Sequence, residues 1–168
     1  MAGLDGETRQ GVGPFVVLVE DDPSQADMYR RGLEARGFRV EVFPDASAMF
    51  ERLETNVPDV AVLDWRFAGT LTGVEIIENM RLDERLVNVP VIMLSNYAGE
   101  ADGAVGRALE AGAREWLVKS RTTPETLAHR IQDALGLDGA ATAMAMGLKE
   151  TSPSLEGQHP RLADAPGT

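Results

Sequence analysis

Residues 15–22 read Phe-Val-Val-Leu-Val-Glu-Asp-Asp, an uninterrupted apolar run followed by three carboxylates. A short β-branched run without polar alternation is typical of a parallel strand that is covered on both faces of its sheet. Similar continuous runs lie at 60–63 and 91–94. These three runs predict the central strands of a buried parallel sheet, and the polar residues that follow them mark the strand ends.

Outward from this stretch, apolar runs alternate five times with segments of helical pattern. The predicted strands are 15–19, 39–43, 60–63, 91–94 and 115–118. The helix signals are the capping residues Asp22, Asp45 and Thr123, the apolar faces of 73–81 and 100–111, and the helix-ending glycines Gly37 and Gly112. Such alternation predicts an α/β fold with a doubly wound, five-stranded parallel sheet, in which right-handed crossovers place helices on both faces.

Residues that are mostly polar follow four of the predicted strands. They are Glu20, Asp21 and Asp22 after the first strand, Asp64 and Trp65 after the third, Ser95 and Asn96 after the fourth, and Lys119 and Ser120 after the fifth. Sites in open parallel sheets form at the carboxyl ends of the strands, near the point where the strand order reverses. We therefore expect these residues to converge on one patch that contains carboxylates, a hydroxyl and an ammonium group.

The residue types in this patch point to phosphoryl chemistry. Crowded carboxylates repel one another unless a cation joins them. Oxygen ligands without thiolates, in an incomplete protein cage, favour Mg²⁺, which keeps several waters and shares a substrate phosphate. A carboxylate beside such a metal can attack phosphorus and form an aspartyl phosphate. The metal ion, the Lys119 ammonium and the Ser95 hydroxyl would each meet one of the three phosphoryl oxygens.

Composition excludes several classes of function. The 168 residues include no Cys, which excludes disulfides, thiolate zinc sites and cysteine nucleophiles. No apolar run approaches the roughly 20 residues that span a bilayer, and the N-terminus lacks the apolar centre of a signal peptide. We therefore expect a cytoplasmic protein without membrane contact. The net charge of −11 removes the usual electrostatic driving force for direct binding to nucleic acid.

The basic residues show a strong bias towards Arg. Of the 16 basic residues, only Lys119 and Lys149 are lysines. A Lys that is retained in such a chain indicates a position where a compact point charge is needed instead of a planar guanidinium. A solvated surface charge is the alternative interpretation of Lys119.

Four segments together resemble the receiver domain of bacterial two-component response regulators. They are Val-Leu-Val-Glu-Asp-Asp at 17–22, Val-Leu-Asp-Trp at 62–65, Val-Ile-Met-Leu-Ser at 91–95, and Ala-Gly-Ala-Arg-Glu-Trp-Leu-Val-Lys-Ser at 111–120. Each segment alone is common, whereas all four in this order and approximate spacing are specific. The resemblance extends from residue 15 to residue 135. It implies a flavodoxin-like (βα)5 fold with the strand order 2-1-3-4-5.

The resemblance also implies a role for the matching acidic residues. Asp64 would accept a phosphoryl group from a sensor histidine kinase or a phosphotransfer protein. Asp21 and Asp22 would bind Mg²⁺ together with Asp64, and Asp22 would be the more direct ligand of the pair. The backbone carbonyl of Arg66 would be a further ligand. A simple helix cap is the alternative interpretation of Asp21 and Asp22.

The remaining matches concern phosphoryl binding and switching. The resemblance implies that Ser95 and Lys119 bind the phosphoryl oxygens. Trp116 matches the aromatic residue whose rotamer reports the switch, although a Trp near a strand end suits packing equally well. Asn96 and Ser120 depart from the family, which usually has a very small residue and a Pro at these positions. The loops after the acceptor and after Ser95 are also slightly longer than usual.

Three functions are compatible with these residues. The first is a receiver, which is a phosphorylation-controlled binding module and not an enzyme that acts on a separate substrate. The second is an aspartate-nucleophile phosphohydrolase, but such enzymes usually carry an acid two residues after the nucleophile, where this chain has Arg66. The third is a degenerate receiver that only docks, against which the complete set of site residues argues.

The sequence predicts one folded domain with two flexible flanks. We expect a loose leader at 1–13, the receiver domain at 14–137, and a low-complexity tail at 138–168 that is disordered. Because no second folded domain is predicted after residue 138, we expect a stand-alone receiver. Its output would pass through a partner or through a homodimer that uses the face of the fourth helix, the fifth strand and the last helix.

Overall fold

A computed structural model describes residues 13–66, 71–96 and 103–137, and within these ranges strands and helices alternate as predicted. The strands are β1 (Phe15–Val19), β2 (Arg39–Phe43), β3 (Val60–Asp64), β4 (Val91–Ser95) and β5 (Glu115–Val118). The helices are α1 (Pro23–Glu34), α2 (Ala46–Leu53), α3 (Gly73–Leu82), α4 (Ala104–Ala111) and α5 (Pro124–Leu135). A single 3₁₀ turn, Lys119–Arg121, connects β5 to α5.

The five strands form one parallel sheet in the order β2-β1-β3-β4-β5, which confirms the predicted topology. Every residue of β1, β3 and β4 is buried, as continuous apolar runs require of central strands. One face of the sheet packs against α2, α3 and α4, and the other packs against α1 and α5. The strand order reverses between β1 and β3, so the carboxyl ends of these two strands flank the expected site.

The helix starts follow from local capping chemistry. The carboxylates of Asp22 and Asp45 cap α1 and α2, and the Thr123 hydroxyl caps α5. Helix α3 begins with a capping box, in which Thr72 and Glu75 each accept a hydrogen bond from the other's backbone N–H. Side-chain caps therefore mark the starts of α1, α2, α3 and α5, whereas α4 starts without one.

Several element boundaries differ from the prediction, and α3 ends at Leu82, one residue past the expected 81. Strands β3 and β4 each extend one residue further, to Asp64 and Ser95, because both residues remain in register with the neighbouring strand. Helix α4 was expected over 100–111 but begins at Ala104. Gly103 precedes it with a φ of 70°, a left-handed conformation that cannot continue a right-handed helix. The first residues of the expected helix, 100–102, lie outside the described residues.

Arg81, in the last turn of α3, bridges two elements through backbone carbonyls. Its Nη1 donates to the carbonyls of Leu86, Val87 and Val89 at 3.2, 3.0 and 3.0 Å, and its Nη2 donates to the carbonyl of Gly112 at 2.9 Å. Gly112 is the C-cap of α4. We call this arrangement the Arg81 clasp, and it fixes the C-terminal end of α4 to the connection between α3 and β4.

No helix in the described ranges is long and apolar enough to cross a membrane. The expected tail at 138–168 and all but the last residue of the expected leader at 1–13 lie outside the described residues. The domain boundaries at these two places therefore stay predictions.

Candidate functional site

The strand ends bring four of the polar side chains expected at the site to one edge of the sheet. Asp64 and Ser95 are the last residues of adjacent strands, Glu20 directly follows β1, and Lys119 directly follows β5. All four are buried, with exposed fractions of 4% for Asp64, 0% for Ser95, 3% for Glu20 and 9% for Lys119. Buried charged residues are rare unless they are paired, so this edge is not an ordinary polar surface.

Lys119 is the centre of the charge arrangement. Its Nζ donates to Glu20 Oε2 at 2.5 Å and to Asp64 Oδ2 at 3.0 Å. Removing one partner of such a buried pair leaves an uncompensated charge, which typically costs about 3–5 kcal/mol. The structure therefore excludes the interpretation of Lys119 as a solvated surface charge.

Burial has an electrostatic consequence for Glu20. Desolvation raises the pKa of Glu20 above its ordinary value, and the negative charge of Asp64 acts in the same direction. The hydrogen bond from Lys119 opposes this shift without cancelling it. One ammonium group therefore does not fully offset the desolvation of Glu20, and a further cation nearby would stabilise its ionised form.

Carboxylate oxygens of Glu20, Asp21 and Asp64 lie within 4.8 Å of one another. Glu20 and Asp64 are buried, whereas Asp21 is exposed, so this cluster opens to solvent on one side. Hard oxygen donors in an open, incomplete cage are the ligand set that Mg²⁺ takes up while it keeps some of its waters. The residues present therefore fit a magnesium ion.

Asp22, which we expected to be the more direct metal ligand, is placed differently by the structure. Its Oδ1 accepts hydrogen bonds from the backbone N–H groups of Ser24 and Gln25 at 2.9 and 3.0 Å, as the N-cap of α1. These hydrogen bonds, the one from Gln25 first, lower the pKa of Asp22. Glu20 takes the place of Asp22 in the carboxylate cluster, so we revise the candidate metal-binding set to Glu20, Asp21 and Asp64.

The backbone after Asp64 closes back on its carboxylate. The N–H of Arg66 donates to Asp64 Oδ1 at 3.2 Å, while the N–H of Trp65 bonds to the carbonyl of Leu94 on β4 at 2.7 Å. The two oxygens of Asp64 thus point in different directions, one to Arg66 and one to Lys119. The carbonyl of Arg66 as a metal ligand stays a prediction, and residues 67–70 lie outside the described residues.

The two tryptophans of the chain contact each other beside the site. The ring centroids of Trp65 and Trp116 are 5.0 Å apart with an interplanar angle of 55°, and both side chains are half-buried. Gly73 lies beside Trp65, since a Cβ at this position would fall 2.5 Å from the Met93 side chain and 3.5 Å from the Trp65 ring. Trp116 therefore has a packing role, and its role as a switch stays a prediction.

Sequence comparison identifies the family. The family described as the response regulator receiver domain matches residues 16–132. The phosphate regulon transcriptional regulatory protein PhoB of Rhizobium meliloti (strain 1021) is 32% identical over 115 residues, which cover 68% of this chain and 49% of that protein. The transcriptional regulatory protein CseB of Streptomyces avermitilis is 40% identical over 104 residues, which cover 62% of this chain and 42% of that protein. The chain thus spans about half the length of the curated relatives it matches.

Solved structures give the same assignment. The chemotaxis response regulator CheY4 of Vibrio cholerae is similar with a TM-score of 0.65 and 26% identity, over 74% of this chain and 100% of that chain. The receiver domain of the sensor histidine kinase PA1611 from Pseudomonas aeruginosa PAO1 has the same TM-score and identity, over 74% of this chain and 99% of that chain. That structure has a magnesium ion coordinated in its active-site cleft.

The chain belongs to the response regulator receiver family of two-component signal transduction. This family is a signalling family, and the match argues against the phosphohydrolase alternative.

Proposed function

We propose that the chain accepts a phosphoryl group on Asp64 from a sensor histidine kinase or a phosphotransfer protein, and that it signals through the resulting conformational change. The proposal rests on the environment of the Asp64 carboxylate. This carboxylate is buried at the end of β3, lies 3.0 Å from an ammonium group, and shares an open cluster with two further carboxylates. Family membership supports the same function.

Phosphoryl transfer to Asp64 is a direct displacement. One carboxylate oxygen of Asp64 forms a bond to phosphorus while the bond from phosphorus to the donor's imidazole nitrogen breaks, and the imidazole leaves with that electron pair. Negative charge is spread over the three equatorial oxygens during the transfer. Lys119 can pair with one of these oxygens while Glu20 retains it near the site, and the buried Ser95 hydroxyl is the candidate partner for another.

Glu20, Asp21 and Asp64 are the residues that would hold Mg²⁺. A bound magnesium ion neutralises charge that builds up on the transferred group and its acceptor. Of the three carboxylates, Asp21 is the exposed one, so it lies on the side of the cluster that is open to solvent. Glu20 keeps its contact with Lys119, and we expect it to contribute mainly through its charge.

The proposed output begins at Ser95 and reaches the face formed by α4, β5 and α5. Trp65, next to the acceptor, contacts Trp116 in β5, so a change at Asp64 can be transmitted to this face by direct packing. The same face is the proposed surface for a homodimer or an output partner. Glu115 and Arg130 lie on it as an ion pair, with Nε and Oε1 3.4 Å apart.

The partners and the location of the chain are also proposals. The net charge of −11 argues against direct contact with nucleic acid. Several relatives are transcriptional regulators by name, and MtrA of Mycolicibacterium smegmatis is a DNA-binding response regulator. The match covers about half of each of those proteins, and we do not extend their DNA binding to this chain. We propose a cytoplasmic protein, as a kinase partner of this type requires.

Incubation with acetyl phosphate and Mg²⁺, followed by intact mass measurement, tests the proposal. The wild type is expected to gain about 80 Da, the mass of one phosphoryl group. Asp64→Asn is expected to gain nothing, because an amide is a far poorer nucleophile than a carboxylate of nearly the same shape. Asp133→Asn, which changes an exposed carboxylate on α5, is the matched control and should react like the wild type. Full phosphorylation of Asp64→Asn would identify another acceptor.

A further inference from the structure

Helix α1 packs directly against the connection between β5 and α5. The Tyr29 hydroxyl donates a hydrogen bond to the carbonyl of Thr122 at 2.9 Å. On the same face of α1, Gly32 lies so close to Pro124 that a Cβ at Gly32 would fall 2.2 Å from the Cβ of Pro124. The separation of α1 from this connection is therefore fixed at two neighbouring points.

Thr122 closes the turn that carries Lys119. Its backbone N–H donates to the carbonyl of Lys119 at 3.1 Å, and its hydroxyl donates to the carbonyl of Val118 at 2.9 Å. Thr122 is itself 5% exposed. The backbone on both sides of the Lys119 Cα is thus bonded to one buried residue, and that residue is bonded to Tyr29.

The backbone around Lys119 depends on these hydrogen bonds because the chain has Ser120 after it. A Pro at this position would fix its own φ through the ring, whereas Ser leaves the torsion free. The Lys119 side chain must nevertheless reach Glu20 and Asp64 from a defined origin. The hydrogen bonds from Thr122, which α1 holds in place, fix the backbone position of Lys119.

We propose that Tyr29 is a positioning residue for phosphoryl transfer, whose hydroxyl fixes Thr122 and thereby the backbone from which Lys119 reaches the acceptor. The inference rests on the proposed phosphorylation of Asp64 and adds a residue of helix α1 that lies outside the carboxylate cluster.

The Tyr29 hydroxyl is well suited to this task. Tyr29 is 1% exposed, and burial, with the negative charges of Glu20 and Asp64, raises the pKa of its phenol, so the group stays a hydrogen-bond donor. Without this donor, the Thr122 carbonyl loses its buried partner. A buried carbonyl without a hydrogen-bond partner is stabilised when it moves towards water. Such a movement displaces the turn that carries Lys119.

Tyr29→Phe tests the proposal because it removes the hydroxyl and keeps the ring. Phosphorylation by acetyl phosphate is followed by intact mass at saturating Mg²⁺, and Mg²⁺ affinity is followed by tryptophan fluorescence, since Trp65 adjoins the site. Ile77→Val, a comparable destabilisation on the opposite face of the sheet, is the matched control. Thr122→Val, which removes the hydroxyl bond to Val118, is a second variant on the same connection. All variants are compared well below their unfolding temperatures.

The expected result is a phosphorylation rate about tenfold lower in Tyr29→Phe, which is less than the roughly hundredfold that a misplacement of about 1 Å can cost. Mg²⁺ affinity should stay unchanged, and Ile77→Val should react like the wild type. Thr122→Val should also be slower, and the double variant with Tyr29→Phe should be no slower than the slower single variant, since both act on one turn.

Three outcomes would overturn the inference. They are an unchanged rate in Tyr29→Phe, an equal loss in Ile77→Val, and a parallel loss of Mg²⁺ affinity that would place the effect at the carboxylates. A wild type that never gains a phosphoryl group would instead overturn the proposed function, and the inference with it.

Discussion

At the scale of the single residue, the surroundings of Lys119 suit a Lys and not an Arg. Its compact ammonium lies between two buried carboxylates, and a planar guanidinium is larger and has a fixed donor geometry. We predict that Lys119→Arg loses most phosphorylation by acetyl phosphate and about 1–3 kcal/mol of unfolding free energy, as overpacked buried sites do. Arg121→Lys, an exposed change in the same turn, is the control. Equal phosphorylation of both variants would show that only the charge matters.

The two adjacent aspartates at the start of α1 should have separable roles. We predict that Asp21→Asn weakens Mg²⁺ binding, measured by calorimetry, because it removes a carboxylate from the cluster. Asp22→Asn should bind Mg²⁺ like the wild type, since its carboxylate caps the helix, and an Asn can still cap. Loss of Mg²⁺ affinity in Asp22→Asn alone would restore the metal-binding pair that the sequence suggested.

The positions of Asp64, Ser95 and Lys119 could be predicted because each ends or directly follows a strand that the sequence predicts. Choosing between Glu20 and Asp22 required the structure. Asp22 precedes Pro23, a sequence pattern that predicts a helix N-cap. In that role its carboxylate accepts hydrogen bonds from backbone N–H groups at the start of α1. Glu20 lies two residues closer to the end of β1 than Asp22, and its side chain is buried in the site. The difference is a matter of side-chain direction, and a run of three acidic residues does not specify it.

At the scale of the element, two helical glycines offer a matched pair of substitutions. Gly106 in α4 has nothing within 4 Å of the position that a Cβ would occupy, whereas a Cβ at Gly32 in α1 would overlap Pro124. We predict that Gly106→Ala raises the unfolding free energy by about 0.5–1 kcal/mol, the usual helix preference for Ala. Gly32→Ala should lower it. Chemical denaturation measures both, and a change of the same sign in both would contradict the close contact of Gly32 with Pro124.

Helix α4 is also the element whose extent the sequence predicted least well. The apolar residues Ala104 and Ala108 face the core as expected, but the segment contains no side-chain cap to mark its start. Gly103 provides the boundary through its backbone conformation, and a glycine in a sequence does not reveal which conformation it adopts. Helix α3, by contrast, has a capping box, and its start at Gly73 was predicted correctly.

At the scale of the whole molecule, the site should make stability depend on both pH and metal. Burial raises the pKa of Glu20 above 4.5, so the folded state binds this proton more tightly than the unfolded state. Stability from this group is therefore complete below that pH and is lost as the pH rises through the folded-state pKa. We predict that, with a chelator present, the wild type loses stability across this window relative to Glu20→Gln.

Addition of Mg²⁺ should reverse this loss, because the ion selects the ionised carboxylates. At a concentration about 100 times its Kd, a ligand that binds only the folded state adds roughly 2.7 kcal/mol. Melting temperatures of the wild type and Glu20→Gln, with and without Mg²⁺ across the pH range, measure both effects. A wild type whose pH profile matches that of Glu20→Gln in chelator would contradict them.

The global topology was the most predictable property of the chain. Strand order 2-1-3-4-5 followed from the resemblance, and the five alternations of strand and helix were visible in the residues alone. Buried parallel strands require continuous apolar runs, which are hard to confuse with another element at this length. Contacts between distant helices, such as that of Gly32 in α1 with Pro124 in α5, leave no comparable pattern in the sequence, because they depend on how the two helix surfaces pack.

The Arg81 clasp has a mechanical consequence for α4. Four backbone carbonyls, one of them at the C-cap of α4, converge on a single guanidinium, while the other end of the helix starts at a residue without a side chain. A short rod that is fastened at one end moves most at the other end. We therefore expect α4 to pivot about Gly112, so that its first turn moves furthest when Ser95 changes its contacts. Spin-label distances from Arg107 and Glu110 to Arg30 on α1, with and without a beryllofluoride mimic, should change more at Arg107. Equal changes at both positions would mean that the helix shifts as a whole.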